Sequence, residues 1–108
     1  MDMDLPNALI AEKLNNNMDT ISLFVGSKIE ELREIHKVTQ EDLALAVGLS
    51  RPSIVNMENG RQNYSLKNIY AIAEYFNISV NEILPDMKWY KKYKGKKIIK
   101  KVIFEIED

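Results

Sequence analysis

The stretch 39–60 limits the possible folds of this chain more than any other feature, because it has the pattern of two short helices joined by a tight turn. Thr39 can cap the first helix, since its hydroxyl can accept a hydrogen bond from a free N–H of the first turn. Gly48 can end that helix, because glycine adopts left-handed backbone angles without a steric penalty. Ser50 can cap the second helix, and Gly60 follows its end. We therefore predict a helix, a turn and a helix at the centre of the fold.

The second predicted helix has one apolar face and one polar face. Ile54 and Met57 recur at helical spacing, which predicts that they are buried. The opposite side then carries Arg51, Ser53 and Asn56, whose donors and acceptors suit the edges of DNA bases. The sequence thus predicts an exposed polar surface on the second helix of the motif.

Amphipathic helices are predicted on both sides of the motif. Between residues 21 and 36, apolar residues recur every three or four positions, with charged residues between them. A similar pattern predicts a helix over residues 66–76 with Ser65 as its cap, and a short fifth helix over residues 80–84. Together these five helices make a compact bundle over residues 21–85. The predicted core residues of the bundle are Leu43, Ala44, Val47, Leu49, Ile54, Met57, Leu66, Ile69 and Ile72.

Residues 86–108 differ from the bundle in composition. The segments 88–93 and 98–106 are rich in aromatic and β-branched residues, and residues 94–96 can form a turn between them. We predict a β-hairpin here. An isolated hairpin is only marginally stable in water, so this one needs the bundle or a second subunit as a partner, and we favour dimerisation. Two alternatives are open: a basic aromatic arm that contacts nucleic acid, and a helix over residues 88–101.

Composition excludes several kinds of protein. The chain of 108 residues suffices for one small domain with an appendage. It contains no cysteine, which excludes disulfides and thiol catalysis, and its only histidine is His36, so we expect no metal and no cofactor. No apolar run approaches the ~20 residues of a membrane-spanning helix. We therefore expect a soluble cytoplasmic protein without a membrane partner.

The formal net charge of −1 hides an uneven distribution of charge along the chain. Acidic residues prevail in residues 1–20, lysines prevail in residues 86–108, and the middle is roughly balanced. Binding to nucleic acid depends on the local field at the contact face more than on the sum, so the net charge does not exclude it. Residues 1–20 form an N-terminal extension. A short helix to about Leu14, a frayed terminus and the remnant of an upstream start before Met18 are all open.

Residues 21–85 resemble the Cro/phage-repressor family of helix-turn-helix transcriptional regulators, also called the XRE family. The resemblance rests on the sequence TQEDLALAVGLS at 39–50, on ENG at 58–60 with Arg61 after it, and on LKNIYAIAEYFNISVNEIL at 66–84. It implies a mainly α fold, a five-helix repressor-like DNA-binding bundle, to which the predicted C-terminal β-hairpin is added. It also implies that the second helix of the motif lies in the major groove of DNA.

The resemblance implies base contacts from four residues of that helix. Arg51 fits the O6 and N7 acceptors of guanine, and Asn56 fits the N6 and N7 positions of adenine. Ser53 is expected to face bases or their flanking backbone. Pro52 departs from the family pattern, in which a longer polar side chain often stands at this position. Because proline donates no hydrogen bond, Pro52 either contacts a thymine methyl group or contributes little specificity.

The resemblance also implies contacts with the DNA backbone and one structural pair. Gln40 is expected to bind a phosphate, and the free N–H groups and positive dipole end at the start of its helix support this. Arg33 and Glu58 match a pair that ties the first helix to the end of the second motif helix. The residues expected to contact the DNA backbone are Gln40, Ser50, Arg61, Asn63, Tyr64 and Lys67.

These expectations combine into one leading function and one alternative. We predict a sequence-specific transcriptional regulator, a repressor that binds a pseudo-palindromic operator in double-stranded DNA as a homodimer. The alternative is an antitoxin-like or phage-control protein whose C-terminal segment binds a protein partner. An enzyme is not expected, because the sequence offers no nucleophile motif, no phosphate-binding glycine loop and no metal cluster.

Overall fold

The computed structural model describes residues 20–61, 64–94, 97–99 and 102–104. The α-helices are α1 Thr20–Ile35, α2 Gln40–Val47, α3 Arg51–Glu58, α4 Leu66–Phe76 and α5 Met87–Tyr93. A short 3₁₀ helix, Val80–Glu82, lies between α4 and α5, and the strands are β1 Lys97–Ile99 and β2 Val102–Phe104. The two strands pair in an antiparallel arrangement. The described part of the chain is therefore mainly helical, and α2 and α3 form the helix-turn-helix.

The predicted caps of the interior helices are confirmed. The side-chain oxygens of Thr39, Ser50 and Ser65 each accept a hydrogen bond from the backbone N–H three residues further on, at 3.0, 3.2 and 3.1 Å. Gly48 and Gly60 follow α2 and α3 with φ angles of 73° and 70°. Glycine adopts these left-handed angles readily, so the local sequence sets both ends of the motif helices.

Two helices end in the same left-handed conformation without a glycine. Lys37 follows α1 with a φ of 55°, and Asn77 follows α4 with a φ of 56°. At the end of α1, the Lys37 N–H donates to the Glu34 carbonyl at 3.2 Å and the Val38 N–H donates to the Arg33 carbonyl at 2.9 Å. Asparagine tolerates this conformation better than lysine does, so the turn after α1 carries some backbone strain.

The hydrophobic core lies where α1, α2, α3 and α4 meet. Of the predicted core residues, Val47 and Leu49 are only partly buried against it. Leu66 is 72% exposed, so its assignment to the core is wrong. It stands in the first turn of α4, one turn before Ile69, which is the first side chain of that helix to reach the core. The buried core residues are Val25, Ile29, Leu32, Leu43, Ala44, Ile54, Met57, Ile69, Ile72, Ala73, Phe76 and Ile83.

The first strand of the predicted β-hairpin is wrong, because residues 88–93 lie in α5. The antiparallel strands β1 and β2 lie further along the chain, at Lys97–Ile99 and Val102–Phe104. The carboxylate of Asp86 caps this helix by accepting a hydrogen bond from the Trp89 N–H at 2.7 Å. Trp89 and Tyr93 lie one turn apart and are both 5% exposed. The ring centroids of Trp89 and Phe24 lie 4.8 Å apart. A helical backbone places both rings on one face, where α1 offers an apolar surface. Strand propensity depends on the packing surroundings and does not prevail here.

The short helix predicted over residues 80–84 is a single 3₁₀ turn over Val80–Glu82. Ser79 and Glu82 form a capping box, in which the Ser79 N–H donates to the Glu82 carboxylate at 3.3 Å. The fifth α-helix of the described chain is therefore α5. The short helix predicted to end near Leu14 lies outside the described residues. Within the described ranges, none of the helices is long and apolar enough to cross a membrane.

Candidate nucleic-acid interface

A close approach between α1 and α3 determines where α3 lies. Gly26 is in the middle of α1, and a Cβ atom added to it would overlap the carbonyl oxygen of Met57 and lie 2.9 Å from that of Glu58. The backbone of α1 can therefore touch the C-terminal end of α3 only because residue 26 has no side chain. Sequence reasoning did not identify Gly26, although a glycine inside an amphipathic helical pattern is a signal of such a contact.

Tyr64 fixes the same end of α3 from the other side. Its hydroxyl lies 3.0 Å from the carbonyl oxygen of Ser22 and also within hydrogen-bond distance of the carbonyl oxygen of Met57. The side chain is partly buried and packs against the core. This inward geometry favours a structural role for Tyr64 over the DNA-backbone contact that the sequence predicted.

The outward side of α3 presents the residues predicted to contact bases. Arg51 and Pro52 are exposed at its start, and Ser53 and Asn56 are half-buried on its side. Ser50, just before the helix, accepts a hydrogen bond from the Ser53 N–H at 3.2 Å, and its hydroxyl lies 3.0 Å from that of Ser53. The opposite side of α3 is buried in the core, so these polar side chains share the surface that remains accessible.

A buried carboxylate joins the end of α3 to α1 and α2. Glu58 is 3% exposed, and it accepts hydrogen bonds from Arg33 Nε at 2.8 Å and from Arg33 Nη2 at 3.2 Å. It also accepts one from Gln40 Nε2 at 3.0 Å, while Arg33 Nη1 donates to the Val38 carbonyl at 3.0 Å. The hydrogen bond to Glu58 raises the pKa of Arg33 above its usual value, although burial opposes this effect. Arg33 therefore stays positively charged.

A cleft of about 460 Å³ lies beside this carboxylate, and its lining includes the start of α2 and the start of α3. Its position suits an anion, because the first N–H groups of a helix and its positive dipole end favour negative charge. The cleft brings together Gln40, expected to contact the DNA backbone, and Arg51, expected to contact a base. The residues that line it are Arg33, Thr39, Gln40, Glu41 and Arg51.

The other residues expected to contact the DNA backbone lie around the ends of α3. Ser50 is exposed in the turn before α3, and Arg61 is exposed just after it. Lys67 is exposed in the first turn of α4. Asn63 lies outside the described residues. Arg61 and Lys67 thus flank the loop that follows α3, on either side of Tyr64.

The C-terminal helix does not offer the aromatic surface that a nucleic-acid arm requires. Trp89 and Tyr93 are buried, and their ring centroids lie 5.0 Å apart. Two of the three aromatic rings of α5 are therefore covered in this structure. The exposed face of α5 instead carries lysines, among them Lys88 and Lys91.

A helix-turn-helix whose second helix has one side buried in the core and an accessible polar side is typical of a class of DNA-binding proteins. The family described as helix-turn-helix matches residues 29–83 of this chain. The chain belongs to this family of DNA-binding transcriptional regulators, as the resemblance to XRE regulators predicted.

Relatives in sequence and structure agree with this assignment. The chain is 39% identical over 57 residues to an uncharacterised HTH-type transcriptional regulator of Methanocaldococcus jannaschii, which covers 53% of this chain and 86% of that protein. It is similar to the restriction-modification controller protein C.AhdI from Aeromonas hydrophila, with 33% identity and a TM-score of 0.57. The match covers 58% of this chain and 96% of that chain. The chain is also similar to the P22 c2 repressor in complex with a synthetic operator. The sequence identity is 25% and the TM-score is 0.53, and the match covers 56% of this chain and 91% of that chain.

Proposed function

We propose that this protein is a repressor that binds a specific operator in double-stranded DNA as a homodimer. The observation that carries the proposal is the placement of α3, whose polar side is accessible while its other side is buried in the core. The similarity to the P22 c2 repressor, a protein solved in complex with a synthetic operator, supports the same function. In this proposal α3 enters the major groove and the start of α2 faces the adjacent phosphates.

The proposed base contacts follow from the chemistry of the accessible side chains. Arg51 presents a guanidinium at the start of α3, which suits the two acceptors of guanine. Asn56 lies about one and a half turns further along and presents both a donor and an acceptor, as adenine requires. Pro52 is exposed, and its ring suits contact with a thymine methyl group. Sequence selection in this proposal depends mainly on Arg51 and Asn56, with Ser53 between them.

The proposed backbone contacts surround these residues and set the orientation of α3. Gln40 and Ser50 lie at the starts of α2 and α3, while Arg61 and Lys67 lie near the loop that follows α3. Contacts with phosphates hold the protein in register but do not distinguish sequences. Loss of one of them should therefore weaken binding similarly on every sequence.

A homodimer is proposed because a single α3 contacts too few base pairs to select one operator. Two copies that bind half-sites about one helical turn apart raise both affinity and specificity. The surface that joins the copies stays a prediction, as does the alternative in which the C-terminal segment binds a protein partner. Because Trp89 and Tyr93 are buried against their own chain, a second subunit is not required to cover them.

The proposal is tested by selecting bound sites from random duplexes and then measuring variants on the selected site. We expect the selected sites to contain two symmetric half-sites. Asn56→Ala should lower affinity for the selected site by about 1–3 kcal/mol and leave affinity for a random duplex nearly unchanged. Lys67→Ala is the matched control and should weaken binding equally on both duplexes.

Two results would contradict the proposal. A selection that enriches no sequence would exclude a specific operator. An equal loss of affinity on both duplexes for Asn56→Ala would exclude a base-reading role for this residue and would leave it as a general contact.

A further inference from the structure

The buried carboxylate of Glu58 contacts two residues that line the cleft beside α3, although Glu58 does not line the cleft itself. Arg33 comes from α1 and Gln40 begins α2, so a single side chain at the end of α3 connects both helices. Glu58 is 3% exposed, which means that it cannot serve as a surface contact. Its influence on a ligand in the cleft must pass through the two residues that it holds.

The hydrogen-bond donors of these two residues are not exhausted by the contacts that the described chain shows. The amide nitrogen of Gln40 has two hydrogens, and the bond to Glu58 uses one of them. The guanidinium of Arg33 has five N–H groups, and the bonds to Glu58 and Val38 use three of them. Donors thus remain on both side chains for an anion in the cleft.

We infer that Glu58 is a positioning residue for DNA binding, which holds Gln40 and Arg33 so that their remaining donors meet a backbone phosphate in the cleft. The inference rests on the proposed function, because the phosphate belongs to the DNA on which α3 lies. It extends that function, because a buried residue at the end of α3 then controls a contact between the start of α2 and the DNA backbone.

The charge of Glu58 allows a test with opposite expected signs. If Glu58 affected DNA only as a nearby negative charge, its removal would strengthen binding, because DNA is a polyanion. If Glu58 positions Gln40 and Arg33, its removal weakens binding despite the gain of one positive charge. Glu58→Gln keeps the size of the side chain but removes its charge. Its amide has one acceptor oxygen, whereas the carboxylate accepts at two.

The experiment measures binding of the full chain to a short fluorescent DNA duplex of mixed sequence by anisotropy at low salt. Glu58→Gln should bind about fivefold more weakly or worse. The matched control is Glu74→Gln, which makes the same change of charge at an exposed residue of α4 that does not line the cleft. This control should bind at least as tightly as the wild type.

A double-mutant cycle separates positioning from a general loss of structure. Gln40→Ala should weaken binding in the wild type and have little further effect in Glu58→Gln, because Gln40 is already displaced there. Circular dichroism at the temperature of the measurement establishes that each variant is folded. If Glu58→Gln does not fold, Glu58→Asp keeps the charge but withdraws the carboxylate from Gln40, and it should also weaken binding.

The outcomes distinguish the inference from the function on which it rests. Equal binding by Glu58→Gln and Glu74→Gln would overturn the inference and leave the proposed function intact. Strictly additive effects of Gln40→Ala and Glu58→Gln would overturn it as well. If the wild type does not bind the duplex at all, the proposed function fails, and the inference fails with it.

Discussion

Single residues decide how closely α3 can lie against the rest of the bundle. Gly26 lets the backbones of α1 and α3 touch, and Tyr64 joins the Ser22 region of α1 to the end of α3. Gly26 has no side chain, and the side chain of Tyr64 is partly buried against the core. Both residues nevertheless fix the position of α3 relative to α1, and the proposed DNA contacts depend on that position.

Gly26→Ala should therefore destabilise the protein, although alanine is the better helix former by about 1 kcal/mol. The added methyl group meets the Met57 and Glu58 carbonyl oxygens, which are backbone atoms and cannot rotate away. We expect a loss of about 1–3 kcal/mol in the free energy of unfolding, measured by urea denaturation.

The adjacent residue provides the control for this prediction. Ser27 is fully buried, and its hydroxyl has no hydrogen-bond partner among the residues that the structure describes. Ser27→Ala should keep the free energy of unfolding within about 0.5 kcal/mol of the wild type or raise it. If Gly26→Ala were as stable as Ser27→Ala, the close approach of α1 and α3 would not limit the fold.

Among the helical elements, α1 and α4 end in left-handed turns that differ in cost. Lys37 occupies this conformation after α1 and Asn77 occupies it after α4. The residue types differ, because asparagine enters the left-handed region more easily than lysine does. The end of α1 is thus an element whose sequence is not optimal for its backbone.

Lys37→Gly should raise the free energy of unfolding by about 0.5–1 kcal/mol, because glycine removes the strain at this position. The loss of a positive charge at the C-terminal end of α1 lowers the free energy of unfolding by roughly 0.3 kcal/mol and so offsets part of this gain. Thermal and urea unfolding followed by circular dichroism measure the difference.

Asn77→Gly is the comparison variant, since it makes the same replacement at a position with nearly the same φ. Its stability should change by less than that of Lys37→Gly. A lower stability for Lys37→Gly than for the wild type would mean that the lysine side chain makes a contribution larger than the strain.

For the whole molecule, the distribution of charge matters more than its sum. The formal net charge is −1, but exposed cations surround the proposed DNA surface at Arg51, Arg61 and Lys67. Each phosphate that a cation neutralises releases counterions, so binding should depend on salt in proportion to the number of phosphates contacted.

Affinity for a mixed-sequence duplex should fall steeply with salt, with a slope in the double-logarithmic plot of about −0.9 for each phosphate neutralised. Arg61→Ala and Lys67→Ala should each reduce the magnitude of this slope by about 1. Anisotropy titrations over a series of salt concentrations measure it. A slope near zero, or no change in either variant, would argue against a phosphate contact at these two residues.

The sequence by itself determined the helix-turn-helix, its caps and most of its core. The caps at Thr39 and Ser50 and the left-handed turns at Gly48 and Gly60 are local, so a few neighbouring residues suffice to specify them. Helical periodicity assigns the core faces as well, except at Leu66, which lies in the first turn of α4 and is 72% exposed.

Only the tertiary structure decided the features that depend on residues far apart in the chain. Glu58 lies 18 residues from Gln40, and Tyr64 lies 42 from Ser22. The pair of Arg33 and Glu58, 25 residues apart, was expected from the family resemblance and not from a local pattern. Residues 87–93 are likewise helical although their composition favours a strand, and Trp89 packs there against the distant ring of Phe24. The helix-turn-helix could therefore be predicted from local interactions. The packing that orients α3 and forms its cleft depends on contacts between residues far apart in the chain, and a local sequence pattern does not predict such contacts.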